Sequence, residues 1–321
     1  MSTASVVPET RGLTGDDAWQ TLRGVGWDQL AKDSFRRLRV SDGFSHARSL
    51  AYMTSLVAIQ GVIAVVGLTQ VLHKGAVSAA IDATLRGAIP GPAGRVLTTA
   101  VTQAHHVAAE HRYTALYVGV IGAVFTATVT MGQLERGLNR IYGVEQDRPT
   151  FKKYAMAFVF TLSVGALIAA AFVCLALGRD LMPLSVHGAG TTAWSVARWP
   201  LGLGLIGVAV TVLFRWSPRR VQPHLSWLAF GSIVSVVLWA LVTAGLGLFF
   251  RSSSTFGATY GPLAGIVALL MWSLLSSIAL LYGAALTAQL EAVRAGRRAP
   301  QDSQKVAESD PVSDPSPEVA S

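Results

Sequence analysis

The stretch Leu225–Phe250 reads LSWLAFGSIVSVVLWALVTAGLGLFF and contains no aspartate, glutamate, lysine, arginine or histidine. A helix needs about 20 apolar residues to cross the roughly 30 Å hydrocarbon core of a bilayer, and this stretch exceeds that length. Backbone amides and carbonyls find no partners in hydrocarbon, so only helices and closed barrels satisfy them there. Because the stretch is continuously apolar rather than alternating, it indicates a transmembrane helix and not a barrel strand.

Five further stretches have the same character, and none carries a charged residue in its middle third. They run from Leu50 to Leu72, Tyr113 to Gln133, Tyr154 to Leu177, Trp199 to Phe214 and Leu263 to Leu290. The fourth span of the chain, Trp199 to Phe214, is short and rich in glycine. Hydrophobic residues make up 51% of the chain and charged residues only 14%, a composition unlike that of soluble domains. The sequence predicts an all-α, polytopic membrane bundle of six transmembrane helices.

The basic residues predict the orientation of this bundle. Of the 26 lysine and arginine residues, 19 lie before the first span, between the second and third spans, between the fourth and fifth spans, or after the sixth span. Loops rich in these residues stay in the cytoplasm, so both termini are expected there, and an even number of spans is required. The net charge of +8 is then explained by topology and by anionic headgroups, and no nucleic-acid partner is expected.

The segment before the first span, residues 1–49, is predicted to be cytoplasmic and to contain a basic amphipathic helix. Apolar or small residues recur there at helical spacing, while basic residues occupy the other flank. The first set comprises Trp27, Leu30, Ser34, Phe35 and Leu38, and the second comprises Lys32, Arg36, Arg37 and Arg39. The segment is too long for the basic region of a signal peptide, which favours an inner or plasma membrane location.

The membrane domain is predicted to cover residues 50–295, with its largest external loop at residues 73–112. This loop is expected to form two short helices that cap the outer mouth, separated by Pro90-Gly91-Pro92. The second begins with Val96, Leu97, Ala100 and Val101. Residues 296–321 are rich in serine, proline and acidic residues, so a disordered cytoplasmic tail is expected.

Neither a metal site nor a disulfide is predicted. His105 and His106 are adjacent and cannot share one helical face, and only Glu110 and His111 accompany them. Cys174 is the single cysteine, so no intramolecular disulfide can form. Enzymes need titratable groups that converge in a protected pocket, and the centres of the spans contain none, so neither catalytic residues nor a cofactor is expected.

The interior of the predicted bundle instead contains uncharged polar side chains. Gln60 is the most informative of them, because an amide in hydrocarbon needs partners. Two roles remain open for Gln60, namely hydrogen bonding between helices and lining of a polar path. Gly257, Gly261 and Gly265 recur at four-residue intervals before the sixth span, which indicates close helix packing, with a hinge at Pro262 as the functional alternative.

A dense polar cluster follows the second span. It comprises Gln133, Glu135, Arg136, Asn139, Arg140 and Tyr142. Anchoring by positive charge explains the two arginines. Glu135 and Asn139 are four residues apart and share a different helical face. Two roles are open for the cluster: a buried polar network that joins helices, or a mouth for an anionic headgroup.

This cluster also carries a family resemblance. The residues Leu138-Asn139-Arg140-Ile141-Tyr142-Gly143-Val144, followed by Arg148-Pro149, resemble the signature after the second membrane helix of the YihY/BrkB family of inner-membrane proteins. Similar landmarks occur in family order along residues 27–295. These are Ala51-Tyr52, Pro90-Gly91-Pro92, Tyr260-Gly261, Trp272, Gly283-Ala284 and Leu290-Glu291.

The chain departs from the family pattern in two places. Gln60 lies near the position where relatives often carry Phe-Pro, and Ala285 and Thr287 stand where relatives often carry Glu and Asn. The departures resemble the YhjD-like branch, which implies a role in cell-envelope integrity. The family was once labelled a ribonuclease, yet metal-dependent RNA cleavage needs gathered carboxylates and histidines, which no predicted cytoplasmic segment provides.

Three functions follow as expectations. The first is transport or transbilayer exchange of a lipid or lipid-linked envelope precursor, with membrane lipids as partners. The second is a membrane scaffold that does not transport and that recruits envelope-assembly proteins. The third, a ribonuclease, is the least compatible with the residues.

Overall fold

The computed structural model describes residues 2–72, 91–176, 189–252 and 263–302. Within these ranges there are eight helices, and the only β-pairing is an isolated antiparallel bridge between Ala4 and Gln301. The helices are α1 (Gly15–Val25), α2 (Trp27–Val40), α3 (Gly43–Leu72), α4 (Gly91–Ile141), α5 (Thr150–Ala176), α6 (Ala189–Trp216), α7 (Leu225–Ser252) and α8 (Ala264–Arg294).

Six of these helices, α3 to α8, are long and apolar enough to cross a membrane. The spans begin and end at Gly43–Ala64, Leu116–Ile141, Thr150–Phe172, Val196–Trp216, Leu225–Phe250 and Ala264–Arg294. The predicted all-α, six-span architecture is therefore confirmed. The short fourth span is part of a longer helix, α6, which continues through Pro200.

Helices α3 and α4 form a long antiparallel hairpin. Gly119 lies against the backbone of Ala64, and Gly122 lies against the side chain of Gln60. A Cβ atom at Gly119 would come within 2.6 Å of the Ala64 nitrogen, so glycine permits the close approach of the two helices.

Helix α4 corrects one expectation about the external loop. At about 1.5 Å per residue, its 51 residues extend over roughly 75 Å, more than twice the hydrocarbon thickness. The segment from Val96 to Val101 was expected to be a separate short helix, but it is the first part of α4. No proline follows Pro92 before the span, so the helix continues without interruption.

Helix α8 lies at the centre of the bundle and packs against α2, α3, α4 and α7. Half of its spanning window is buried, compared with at most 33% for the other spans. Its closest crossing is with α7, where a Cβ atom on Gly283 would overlap the Gly231 carbonyl and the Ser235 side chain. Gly265 is buried in α8. Gly257, Gly261 and Pro262 lie outside the described residues, as do the first predicted external helix and residues 303–321.

Residues near the two ends of the described chain meet at one end of the bundle, which we call the terminal face. It comprises residues 2–14, α1, α2, the connections 142–149 and 217–224, and residues 295–302. Backbone hydrogen bonds hold the first residues across this face, from Thr3 N to Val40 O (3.0 Å), Ser5 N to Pro300 O (2.9 Å) and Val7 N to Tyr142 O (3.1 Å). These bonds fix residues 3–7 against α2, the turn after α4 and residue 300.

The predicted amphipathic helix is confirmed as α2, but its buried face differs from the expected one. Leu30, Ser34, Arg37 and Leu38 are buried. Trp27 and Phe35, expected on the same face, remain about half exposed. Arg37 was assigned to the basic flank and is instead fully buried, because the ends of α4 and α8 and the first residues of the chain supply acceptors for its guanidinium.

Candidate functional site

Five buried polar side chains converge beneath the first residues of the chain, and we call them the Arg220 cluster. Arg37 comes from α2, Tyr142 follows α4, Arg220 and Gln222 belong to the connection between α6 and α7, and Glu291 is near the end of α8. None of these side chains is more than 3% exposed. Four separate parts of the chain thus contribute to one desolvated polar site.

An ion pair between Arg220 and Glu291 forms the centre of the cluster. Arg220 Nη2 lies 2.6 Å from Glu291 Oε1 and also donates to the Pro8 carbonyl at 3.1 Å. The same carboxylate oxygen accepts hydrogen bonds from the Thr10 hydroxyl at 2.6 Å and the Thr10 amide at 3.3 Å. The Arg220 guanidinium carbon lies 4.5 Å from the ring centroid of Tyr142, which adds a cation–π contact.

The second guanidinium of the cluster, Arg37, is fully hydrogen-bonded. Its Nε donates to Gln289 Oε1 at 2.7 Å, and Nη1 donates to the carbonyls of Ser5 and Ile141 at 3.1 and 3.2 Å. Nη2 donates to the Ser5 hydroxyl at 3.1 Å. Burial lowers the pKa of Arg37 to about 10, so the group still carries its charge at neutral pH.

Arg220 is less completely satisfied than Arg37. Among the described residues, its Nε and Nη1 atoms have no hydrogen-bond partner, and the same holds for Glu291 Oε2. The Tyr142 hydroxyl and the Gln222 amide lie beside each other without hydrogen-bond geometry, and burial raises the pKa of Tyr142. Buried polar groups are normally paired, so several unpaired atoms in one site indicate a place for a polar ligand.

A second group of charges borders the Arg220 cluster, and we call it the Asp147 network. Asp147 accepts hydrogen bonds from Arg136 Nε at 3.1 Å, Asn139 Nδ2 at 3.1 Å and Lys153 Nζ at 3.3 Å. Burial alone would raise the pKa of Asp147, but the bond from Asn139 and the charges of Lys153 and Arg136 outweigh it and hold the pKa below its usual 3.8.

Arg148 joins this network to the connection between α6 and α7. It lies 3.1 Å from Glu135, whose side chain is 2% exposed. Arg148 also donates to the carbonyls of Trp216, Ser217 and Pro218 at 2.6 to 3.2 Å. Asn139 Oδ1 accepts the Arg219 amide at 2.8 Å. The ends of α4 and α6 are thereby held together.

Four of the six polar residues predicted after the second span divide between these two groups. Glu135, Arg136 and Asn139 belong to the Asp147 network, and Tyr142 belongs to the Arg220 cluster. Arg140 donates to the carbonyls of Val144 and Glu145 and closes the turn after α4. Gln133 is partly buried.

Gln60 lies apart from both groups, inside the bundle against Gly122 of α4. Its Oε1 atom is buried and has no hydrogen-bond partner in the described parts of the chain.

Sequence reasoning did not identify Arg37, Arg220, Gln222 and Glu291 as site residues. Arg220 counted only toward orientation, Arg37 toward orientation and the basic flank of the amphipathic helix, and Glu291 only as a family landmark. A charge near the end of a long apolar span is a signal that could have singled out Glu291, because such a residue needs a partner. In the described ranges, no group of three or more histidine, cysteine, aspartate or glutamate side chains is arranged to hold a metal ion.

Comparisons with known proteins agree with this architecture. The model of the family described as virulence factor BrkB matches residues 34–308. The chain is 24% identical to a putative ribonuclease-like protein, YfkH, of Bacillus subtilis over 265 residues, which cover 81% of this chain and 94% of that protein. No solved structure matches the chain.

Membrane proteins of the UPF0761 group are also similar. The chain is 30% identical to one from Azoarcus over 213 residues, 66% of this chain and 50% of that protein. It is 30% identical to one from Stenotrophomonas maltophilia over 183 residues, 55% of this chain and 41% of that protein. The chain thus spans about half the length of these relatives. Since the family model covers most of the chain, including α3 to α8, this membrane protein belongs to the YihY/BrkB family.

Proposed function

We propose that the protein exchanges a lipid or lipid-linked envelope precursor between the leaflets of the bacterial inner membrane and so supports the cell envelope. The observation that carries this proposal is a set of polar atoms without partners inside the spans. Gln60 Oε1 in α3 and Ser276 Oγ in α8 are both buried and lack hydrogen-bond partners among the described residues.

These atoms belong to a wider polar layer in the bundle. The Ser55 hydroxyl donates to Ser273 Oγ at 3.0 Å and joins α3 to α8, and the Trp272 indole nitrogen donates to Thr243 Oγ1 of α7 at 3.1 Å. Gln60 follows Ser55 along α3, and Ser276 follows Ser273 along α8, which runs in the opposite direction. At about 1.5 Å per residue, the layer from Ser276 to Gln60 therefore spans roughly 12 Å along the bundle. A headgroup that moves through hydrocarbon needs such polar groups, because the lipid chains offer none.

The test is a reconstitution of the purified protein in liposomes with labelled envelope lipids. We expect protein-dependent transbilayer movement that Gln60→Leu and Ser276→Ala slow. Ser163→Ala is the matched control, because Ser163 is exposed on α5 and bonds only to its own helix. If no envelope lipid moves faster with the wild-type protein than without it, the transport proposal is wrong.

A scaffold role is the second candidate, and exposed aromatic residues on the terminal face favour it. Trp19 of α1 and Trp27 and Phe35 of α2 are each about half exposed, and Arg23 lies over the Trp19 ring at 4.9 Å. Such aromatic and arginine surfaces are common at protein interfaces. Crosslinking should then return stoichiometric envelope-assembly partners, and Trp19→Ala should reduce their recovery while Gln60→Leu should not.

A further inference from the structure

The buried charges of the Arg220 cluster do not balance. Arg37 and Arg220 each carry a positive charge, and Glu291 is the one acidic side chain that contacts either of them among the described residues. Glu9, on the neighbouring first segment, is exposed and accepts the Val221 amide at 3.2 Å. The site therefore has an excess of at least one positive charge in a desolvated environment, where an uncompensated charge is costly.

The unpaired atoms of the cluster have the composition of an anion site. Arg220 keeps Nε and Nη1 without partners, and either nitrogen can donate a charge-assisted hydrogen bond to an oxygen of an anion. The Gln222 amide and the Tyr142 hydroxyl add further donors that lack satisfactory partners. Arg220 uses its remaining nitrogen, Nη2, for Glu291 and for the Pro8 carbonyl, which fixes the orientation of the guanidinium.

Glu291 Oε2 distinguishes among anions. This buried atom is an acceptor without a partner, so it would repel a fully deprotonated anion such as sulfate. A phosphomonoester near neutral pH keeps a proton on one oxygen part of the time and can donate it to a carboxylate. A phosphodiester has no such proton.

We infer that the Arg220 cluster binds a phosphomonoester group, held by an unpaired guanidinium nitrogen of Arg220 and by Gln222, with its P–OH donating to Glu291. The inference rests on the proposed function, for which this group would be part of a lipid headgroup at one end of the exchange path. The first residues of the chain form the roof of the site, since Pro8 and Thr10 contact Arg220 and Glu291 directly.

The first experiment measures binding of inorganic phosphate to the full-length protein in a phosphate-free detergent by titration calorimetry at neutral pH. Sulfate and chloride at equal ionic strength serve as comparison anions. We expect phosphate to bind at least about tenfold more tightly than sulfate, because only phosphate donates to Glu291. Equal binding of phosphate and sulfate, or no phosphate binding, would overturn the inference.

Variants then assign the binding to these side chains. Arg220→Gln should weaken phosphate binding by more than about tenfold, since it removes both free guanidinium donors. Gln222→Leu removes donors from the connection between α6 and α7 and leaves the buried ion pair of Arg220 and Glu291 intact. It should also weaken phosphate binding, and it provides the test if Arg220→Gln does not fold. Arg39→Gln removes an exposed positive charge from α2 and should leave the affinity unchanged. An equal effect of Arg39→Gln and Arg220→Gln would mean that only net charge matters, and the assignment of the site to these side chains would be wrong.

A second experiment tests whether the phosphomonoester is the headgroup of a lipid or a soluble molecule. The protein is placed in phosphatidylcholine nanodiscs with or without phosphatidic acid, and phosphate binding is measured again. Competition by phosphatidic acid supports a headgroup site, whereas phosphate binding unaffected by it assigns the site to a soluble phosphomonoester. Phosphate binding without any lipid exchange in liposomes would support this site and contradict the transport proposal. Lipid exchange without phosphate binding would support transport and contradict the site.

Discussion

At the scale of single residues, the fold depends on charges that would be costly if they lost their partners. Glu135 and Arg148 have side chains that are 2% and 14% exposed, and they lie 3.1 Å apart. Arg148 additionally binds three consecutive carbonyls after α6. Removing one member of such a pair leaves the other charge buried and unpaired.

We therefore expect Glu135→Gln to lower the free energy of unfolding by about 3 kcal/mol, because Arg148 would keep its charge without a counterion. Thermal unfolding of the purified protein in detergent measures the effect. Lys32→Gln is the control, since Lys32 pairs with Asp28 in the open, where both side chains are more than two-thirds exposed. Equal losses in the two variants would contradict the buried role of Glu135.

Asp147 gives the protein a predictable pH dependence. Its pKa lies below the usual 3.8 in the folded protein, so the carboxylate stabilises the fold at any pH above 3.8. This contribution is lost as the pH falls below 3.8 and through the lowered pKa. We expect the melting temperature of Asp147→Asn to lie below that of the wild type at pH 7 and to approach it toward pH 3. A difference that does not shrink on acidification would argue against the assignment.

At the scale of the helices, close crossings depend on the absence of side chains. Gly231 of α7 and Gly283 of α8 face each other, and a Cβ atom on either would overlap the carbonyl of the other. Without a strong hydrophobic force between helices in lipid, such contacts depend on small residues and close packing. The pair therefore sets the position of α8, and with it that of Glu291 two turns later.

Gly283→Val should consequently destabilise the protein by about 2 kcal/mol or more, since overlapping backbone atoms cannot relax without separating α7 from α8. Gly204→Val is the control, because nothing lies within 4 Å of a Cβ atom at Gly204 on α6. Thermal unfolding in detergent compares the two variants. If Gly204→Val were as damaging as Gly283→Val, helix propensity rather than the crossing would explain both losses.

At the scale of the whole molecule, the surface is inverted relative to a soluble protein. Large apolar side chains on the spans are widely exposed, among them Phe125 at 70%, Leu248 at 68% and Ile121 at 67%. Polar and charged side chains are instead gathered inside the terminal face. This distribution suits a bundle whose sides contact lipid and whose end contacts water.

The uneven distribution of lysine and arginine predicts that the terminal face lies in the cytoplasm. In a Cys174→Ser background, Gln146→Cys and Arg297→Cys should react with an impermeant maleimide only after the cells are opened. Thr114→Cys, near the other end of the second span, should react in intact cells. Labelling of Gln146→Cys in intact cells would show that the protein has the opposite orientation.

The sequence by itself determined the number of spans and the amphipathic character of α2. These properties depend on local composition, because the cost of placing charges in hydrocarbon acts on each segment separately. The same reasoning recognised the polar residues from Glu135 to Tyr142 as a group, since they are close in sequence.

Only the tertiary structure decided which of the many arginines are buried and what they bind. Arg37 meets Gln289, and Thr10 meets Glu291, across more than 250 residues of chain. Helical spacing places Arg37 on the face of Leu30 and Ser34, unlike the exposed Arg36 and Arg39, but it does not say what a guanidinium on that face binds. The difference arises when α2 and the first residues of the chain cover the ends of α4 and α8, because burial of a charge depends on every element that surrounds it.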